Sequence, residues 1–412
     1  MMDYRLHTPE GVKDYLPKEY ALKRKTQNNI EKIFNSFNYK LVESPTFEYI
    51  EVYEGKGSVN TKTMYKFVDR DGSVLALRPD VTPAIGRIAT TSYSSEDVPM
   101  RFAYVGNAFR YNEHYQGKLR EFTQAGIELI GASGAEADAE VLTVAIESLL
   151  SAGLENFRID IGNVLFLQGV LEEAGISQEL SVKIQDSIVN KNYVQVNSLI
   201  ENTHIKPEHK RIFKELPLLI GGIEIIDTVR AMVNNEKSLN AIKHLQQVYE
   251  ILSLNGLGRY ISFDFSVIGH FDYYTSLIFR GYARGTGFSV IDGGRYDKLI
   301  ADYPAVGFGI KIIDLISAIE YQNSFVVTEE KTVLVAFDED SRANGYKLAS
   351  NLRNKGVIVE NSLWGYSLED NKKYALDKGI DVFYYVRGNS VIVLENGVEK
   401  TLDLIQLLEE EA

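Results

Sequence analysis

An α+β fold is predicted: a mixed, mostly antiparallel sheet flanked by helices, followed by a small C-terminal α/β domain. Three stretches predict it. Residues Arg101 to Ile130, RFAYVGNAFRYNEHYQGKLREFTQAGIELI, read strand, polar loop, strand, because Phe102, Tyr104 and then Phe122, Ile127 and Leu129 alternate, and Gly117 marks the turn. Residues Ile261 to Tyr282, ISFDFSVIGHFDYYTSLIFRGY, hold two further aromatic-rich strands. From Lys331 onward, TVLVAF opens an alternation of strands and helices that closes on VIVLE and an acidic amphipathic helix. The expected division is a large domain over residues 1–325, carrying a helical insertion at about 170–257, and a second domain over 331–412.

Composition bounds the function. A chain of 412 residues, 45% of them hydrophobic, can fill a sizeable core. With no cysteine, disulfides, thiolate zinc sites and thiol catalysis are excluded, and the composition suits a reducing cytoplasm. The start, MMDYRLHTPEG, has no apolar core for a signal peptide, and the apolar stretch near Leu216 to Ile226 is broken by proline and glycines. A soluble cytoplasmic protein without membrane contact is expected. The net charge of −13 repels phosphate backbones at long range, which disfavours nucleic acid as a partner.

Taken in order, Lys18 to Phe37 is an amphipathic helix, with Ile30, Ile33, Phe34 and Phe37 three and four apart. YKLVESPTF, Tyr39 to Phe47, reads as a strand ended by Pro45. Met64 to Leu77 alternates around Asp71-Gly72, a hairpin signal, and a helix with proline in its first turn follows over Pro83 to Thr90. In the ribbon that comes next, Gln124 and Glu128 lie an even four residues apart and so share a face. Ser133-Gly-Ala-Glu136 has the pattern of a capping box, opening a helix that runs to Gly153. FRIDIGN, Phe157 to Asn163, is the next strand. His204 and His209, five apart with Pro207 between, do not make a metal pair and read as solvated loop residues. Between Gly285 and Tyr296, Gly293 and Gly294 suggest a wall where backbone comes close to a ligand, with Tyr296 closing it.

Phe109-Arg110, Arg120-Glu121-Phe122 and Gln124-Ala125-Gly126-Ile127-Glu128 together resemble motif 2 of the histidyl-tRNA synthetase family. TPEGVKDYLP near the start, LRPDVTP from Leu77, FDYY from Phe271 and GGRYDKLI from Gly293 follow in that family's order, so the likeness spans about residues 8–320. It implies a class II aminoacyl-tRNA synthetase-like core, a homodimer formed through the segment around Pro45, and a C-terminal domain resembling a reduced anticodon-binding domain. It also implies a histidine pocket. Asp80 and Thr82 fall on the acidic residue and threonine that hold the ammonium of histidine, aspartate being one methylene shorter than the usual glutamate. Arg110, Gln124, Glu128, Tyr273, Tyr274 and Tyr296 complete the implied set, with Glu128 and Tyr274 facing the imidazole. That ring needs one acceptor and one donor in its neutral form. Apart from the resemblance, each residue has a plainer role: Asp80 caps a helix, the tyrosines pack in the core, and Gln124 and Glu128 face solvent.

The departures from the family decide the activity. Adenylation needs cations against the phosphates of ATP, in this family usually three arginines. Arg110 keeps one position, but Gly269 and Asp314 stand at the other two, and Asn112 replaces a glutamate two residues after Arg110. Each lost charged contact costs about 100-fold or more. Adenylation is therefore not expected, and no catalytic residue, cofactor or metal is assigned. A histidine pocket without that clamp, together with LRPDVTPAI over Leu77 to Ile85, resembles a non-catalytic branch of the family, the regulatory subunits of ATP phosphoribosyltransferase. That resemblance implies a short-form catalytic subunit as partner, a place in the first step of histidine biosynthesis, and histidine as effector. Two readings stand beside it: an active histidyl-tRNA synthetase with divergent motifs, and a free-standing histidine-binding paralogue. Gly269, Asp314 and the acidity of residues 331–412, ten Lys and Arg against fourteen Asp and Glu, speak against the synthetase.

Overall fold

The ribbon expected at Arg101–Ile130 gives two antiparallel strands, Met100–Phe109 against Glu121–Ile130, in the main sheet. The computed structural model describes residues 3–54, 61–111, 119–268, 273–297, 299–300, 303–322, 331–363 and 365–409. Gly117, Asn112, Gly269 and the Phe271-Asp272 half of FDYY lie outside the described residues. The chain divides into two units, Met1–Phe325 and Val326–Ala412.

In the first unit the strands are β1 (Lys40–Leu41), β2 (Phe47–Tyr49), β3 (Lys66–Val68), β4 (Val74–Leu77), β5 (Met100–Phe109), β6 (Glu121–Ile130), β7 (Phe157–Asn163), β8 (Ile220–Gly221), β9 (Ile261–Asp264), β10 (Leu277–Ala283), β11 (Ile291–Arg295) and β12 (Ala305–Lys311). Among the described residues nine of them form one sheet in the order β1-β5-β6-β12-β11-β10-β7-β9-β8, in which only the β1–β5 and β7–β9 pairings are parallel. The other three, β2-β4-β3, make a small separate sheet. Its β3–β4 hairpin turns at Asp71-Gly72 as expected, with Gly72 at φ +92° where a side chain would be strained.

Side-chain alternation sorts the main sheet into two faces. Ala125, Ile127 and Leu129 of β6 and Val306 and Ile310 of β12 sit in the apolar core with Ile30 and Phe34 of helix α1 (Pro17–Ser36). The intervening residues of the same strands carry polar groups and glycines. Helix α2 (Thr82–Ser92) begins straight after LRPD, and α3 (Ala135–Ser151) adds Leu142, Ile146 and Leu149 to the core. Helices α4 to α9 (Val164–Glu173, Gln178–Val189, Tyr193–Glu201, Pro207–Glu215, Ile225–Arg230 and Glu236–Leu254) form the insertion, and α10 (Ile312–Tyr321) follows β12. No helix of the described residues is long and apolar enough to cross a membrane.

Four local expectations are corrected. YKLVESPTF is not one strand: β1 stops at Leu41 and β2, in the other sheet, starts at Phe47, because Pro45 cannot donate to a ladder and the chain changes sheets around it. The capping box at Ser133 does not form; Gly134, at φ +92°, is the N-cap of α3 and makes no side-chain cap bond. His209 is not a loop residue but sits buried on α7, with Nε2 3.6 Å from a Glu173 carboxylate oxygen. Its neighbours Ile212 and Phe213 are buried on the same helix, whose apolar side takes the imidazole in with them.

The second unit has a five-stranded sheet in the order β14-β13-β15-β16-β17, built from β13 (Thr332–Phe337), β14 (Ile358–Asn361), β15 (Val382–Arg387), β16 (Ser390–Glu395) and β17 (Val398–Asp403). Helices α11 (Arg342–Asn354) and α12 (Leu368–Lys378) join the successive parallel strands, and α13 (Leu404–Glu409) ends the described chain. The fourth correction is β17, a strand where the sequence suggested a helix directly after VIVLE. Asn396 and Gly397, at φ +50° and +77°, make a two-residue turn that sends Val398–Asp403 back along β16. Half of its six residues are charged and five are exposed, as befits an edge strand, so burial leaves little pattern in it.

Candidate functional site

The polar face of the main sheet is a ladder of rungs set by strand register. Glu128 pairs with Gly307, Gly307 with Gly294, and Gly294 with Ile278, which makes an inner rung. One step outward, Gly309 pairs with Asp292 and Asp292 with Arg280; the outermost rung is Gln124 against Lys311, but the Gln124 amide folds inward over Gly309 towards Tyr104 and Glu128. Glycine is required here for space. A Cβ on Gly307 would stand 1.9 Å from Glu128 Oε2, one on Gly309 1.8 Å from Gln124 Nε2, and one on Gly294 2.7 Å from the Tyr274 ring. The glycines of β11 and β12 thus let side chains of β6 and the Tyr273-Tyr274 segment lie flat across the strands.

A cavity of about 260 Å³ opens on this floor, and all eight residues named from the sequence, Asp80, Thr82, Arg110, Gln124, Glu128, Tyr273, Tyr274 and Tyr296, line it. Asp80 braces the turn into α2, whose N-cap is Val81, and pairs with Arg110. Its Oδ1 accepts from the Val81 N–H at 2.7 Å at the start of α2, while Oδ2 is 3.3 Å from Arg110 Nη2. Arg110 Nε donates to the Pro79 carbonyl at 2.7 Å, so the guanidinium is fixed beside the cavity mouth, 5.5 Å over the Phe122 ring. Thr82 Oγ1 donates to Glu128 Oε1 at 2.6 Å, and Gln124 Nε2 donates to the Tyr104 hydroxyl at 2.9 Å.

The inner end is left electrically incomplete. Glu128 is 1% exposed, and its Oε2, Gln124 Oε1 and the Tyr296 hydroxyl are buried with no hydrogen-bond partner among the described residues. Burial pushes the Glu128 carboxyl well above the usual range; the Thr82 hydroxyl counters this in part and the nearby Asp80 charge adds to it. Burial likewise raises the hydroxyls of Tyr104, Tyr273 and Tyr274, so all three are neutral donors at physiological pH. Tyr273 and Tyr274 meet edge to face at 4.7 Å and Tyr273 lies 5.8 Å from Tyr296, giving the inner end an aromatic wall.

Behind Tyr296, Arg295 is anchored in the core. Its Nε lies 3.0 Å from Asp138 Oδ1, and its Nη1 reaches Ala132 O and Asp297 Oδ1 at 3.0 and 3.1 Å. His244 of α9 approaches the other oxygen of Asp138 at 3.1 Å, so one buried carboxylate joins the insertion, α3 and the cavity wall.

Sequence reasoning missed the outer end. Lys311 Nζ stands 2.7 Å from Asp292 Oδ2, and Arg280 Nε is 3.6 Å from Oδ1. Burial pushes the Asp292 carboxyl up, but Lys311 and Arg280 together outweigh it and hold the group below the usual carboxylate range. A signal for Lys311 was available: in AVGFGIK it follows Gly307 and Gly309 at period two. Asp314, in the first turn of α10, lines a second cavity of about 190 Å³ with Arg110, Phe122, Ser289 and Lys311, so a carboxylate stands where a phosphate-binding cation was sought.

A mixed sheet with this ribbon, this helix after LRPD and this glycine floor defines a class II synthetase-like protein, and comparison with known proteins agrees. The family model described as histidyl-tRNA synthetase matches residues 11–315. A solved structure from Bacillus halodurans, described as an ATP phosphoribosyltransferase regulatory subunit/histidyl-tRNA synthetase, superposes with a TM-score of 0.83 at 29% identity, covering 94% of this chain and 100% of that one. Histidyl-tRNA synthetase from a Nostoc species superposes at 0.81 with 20% identity over 98% of each chain, a likeness of fold alone. Within the family the branch is specific. ATP phosphoribosyltransferase regulatory subunits of Acetivibrio thermocellus, 37% identical over 96% of both chains, and of Caldanaerobacter subterraneus, 38% identical over 86% of this chain and 94% of that one, place it. The chain belongs to the ATP phosphoribosyltransferase regulatory subunits, a non-catalytic line of the histidyl-tRNA synthetase family.

Proposed function

We propose that the cavity binds free histidine and that the chain reports its occupancy to a short-form ATP phosphoribosyltransferase catalytic subunit in the first step of histidine biosynthesis. One observation carries the reading: Gln124 Oε1, Glu128 Oε2 and the Tyr296 hydroxyl converge on the cavity without partners among the described residues. A buried unsatisfied polar atom costs about 1–3 kcal/mol. A ligand with one ring N–H, one ring acceptor and an ammonium satisfies all three. The ammonium goes to Asp80, Thr82 and Gln124, and the ring lies between Glu128 and the tyrosines. A raised Glu128 carboxyl and an imidazole, ordinarily at about pKa 6.5, can share a single proton between them.

Relay to a partner requires that histidine bind two states of the assembly unequally, and the coupling is reciprocal. The core is further proposed to form a homodimer. Phe47 and Phe67 support this: they are exposed on the small sheet with ring centroids 5.8 Å apart, an apolar patch beside the segment around Pro45. Neither nucleic acid nor a membrane enters this reading.

The decisive experiment co-expresses the chain with a short catalytic subunit and titrates histidine against both binding and phosphoribosyl transfer. Co-purification, heat on titration of wild type, and loss of that heat in Glu128→Ala are expected, with no histidine-dependent exchange of pyrophosphate into ATP. Failure to co-purify, or a partner equally active and equally histidine-sensitive alone, defeats the regulatory role. Equal heats in wild type and Glu128→Ala defeat the pocket.

A further inference from the structure

The outer end of the cavity carries more cation than it needs. Six charged groups line the cavity: Arg110, Arg280 and Lys311 against Asp80, Glu128 and Asp292. Arg110 is matched by Asp80, and Lys311 by Asp292. Arg280 remains outside hydrogen-bond distance of Asp292, at 3.6 Å. Asp160, its register partner on β7, is engaged by Arg158 at 3.1 Å and does not line the cavity. Burial favours the neutral form of Glu128, so the lining holds an excess positive charge, and that charge is concentrated on the middle rung.

Distance then selects the ligand group that meets it. Glu128 and Tyr274 sit over the inner rung, whereas Asp292 and Arg280 occupy the next rung, with Lys311 Nζ reaching back to Asp292 from the outermost one. Successive same-face rungs are two residues apart, about 7 Å at the rise of a strand. Five covalent bonds separate the outer ring nitrogen of histidine from its carboxylate carbon, a reach of about 6 Å. With the ring on Glu128, the carboxylate arrives at Arg280 and Lys311.

Resting on the histidine reading above, we infer that Lys311 and Arg280 recognise the carboxylate of the bound amino acid and make the cavity specific for histidine over relatives with the same ring and amine but no carboxylate. The selectivity arises because two partly buried cations that share one internal carboxylate are left without the ligand's anion when the analogue lacks it. Lys311 is thus a specificity residue. A feedback sensor gains by this, since the reduced amino alcohol histidinol and the amine histamine fill the inner end as well as histidine does.

The test is calorimetric titration of the full chain with histidine, histidinol and histamine. Wild type should bind histidine about 10- to 100-fold more tightly than either analogue, the worth of a hydrogen bond to a charged group. Lys311→Met should bind all three at about the analogue affinity, Lys311→Arg should regain the preference, and Arg280→Met should lose part of it. Retained analogue binding by Lys311→Met shows that its cavity is folded, and should that variant fail to fold, Arg280→Met and the wild-type ratio carry the test. Equal affinities in wild type, or an unchanged ratio in both Lys311→Met and Arg280→Met, overturn the inference and leave the pocket standing. Binding of none of the three by wild type removes the pocket and the inference with it.

Discussion

The two ends of one cavity solve opposite problems. At the inner end a carboxylate, an amide and a phenol are buried and unsatisfied, and the structure around them supplies apolar rings and glycine backbone. At the outer end Asp292, Lys311 and Arg280 are about a third exposed, and two cations share one carboxylate. The inner end leaves buried polar atoms for a complementary ligand to satisfy, and the outer end, on the inference above, would discriminate by charge. On the proposed reading, binding strength and selectivity are separated in space.

The largest effect that can break this contrast lies just behind the inner end. Asp138→Ala strips Arg295, 5% exposed at its side chain, of its main carboxylate partner. Removing one member of a buried ion pair costs about 3–5 kcal/mol. Urea denaturation should register a loss of that size, together with lost histidine binding as Tyr296 shifts. A loss below about 1 kcal/mol would mean that Asp297 and the Ala132 carbonyl hold Arg295 by themselves.

Next comes the glycine floor. In Gly307→Ala the new methyl meets Glu128 Oε2 and the Ile127 carbonyl at 1.9 and 2.4 Å, and backbone cannot yield as a side chain can. Overpacking of this kind costs about 1–3 kcal/mol, and histidine binding should disappear. Gly287→Ala is the matched control, since an added Cβ there meets nothing within 4 Å among the described residues. Equal denaturation midpoints for the two variants would show that the floor tolerates side chains.

The inner end was readable in the sequence and the outer end was not, for a physical reason. Gln124 and Glu128 stand on a single strand at period two, and LRPD and FDYY bring their residues in contiguous blocks, so pattern and family order converge. Period two in AVGFGIK sets Lys311 on the face of Gly307 and Gly309. But Asp292, Arg280 and Lys311 lie on three strands and become neighbours only through register, which a pattern within one strand does not encode. Much of the fold was legible for the first reason: the ribbon, the Asp71-Gly72 hairpin and the long helices announce themselves by alternation or helical spacing. The misreadings fall where a local signal was overruled or overlooked. Gly134 displaced Ser133 as a cap, Pro45 divided a strand, and the positive-φ turn Asn396-Gly397 set up an edge strand whose charges hid it.

Glu128→Gln separates stability from binding at the inner end. Because burial raises the Glu128 pKa in the folded state, that state holds the proton more tightly than the unfolded chain. Its contribution to stability is complete below the unfolded carboxyl value, about 4.3, and is lost as pH rises through the folded value. Within that window wild type should lose up to about 1.4 kcal/mol per pH unit relative to Glu128→Gln, measured by urea denaturation from pH 5 to 8. Histidine affinity should fall at the same time in the variant. Parallel stability profiles would show that Glu128 is solvated after all.

The smallest effect is at the outer end and has the opposite sign in pH. Lys311 and Arg280 hold the Asp292 carboxyl below its ordinary value, so its contribution is present above the unfolded aspartate pKa, about 3.9, and is lost as pH falls through the folded value. The pair is about a third exposed, and solvent screening limits such pairs to roughly 1 kcal/mol or less. Asp292→Asn should therefore leave stability almost unchanged from pH 5 to 8, where Glu128→Gln shows its whole effect, and reduce the difference from wild type further below pH 4. Its binding phenotype should run the other way. Freed of their internal anion, Lys311 and Arg280 present more positive charge to a ligand carboxylate, so the preference for histidine over histidinol should widen. A narrower preference in Asp292→Asn would show that Asp292 orients the two cations rather than competing for them.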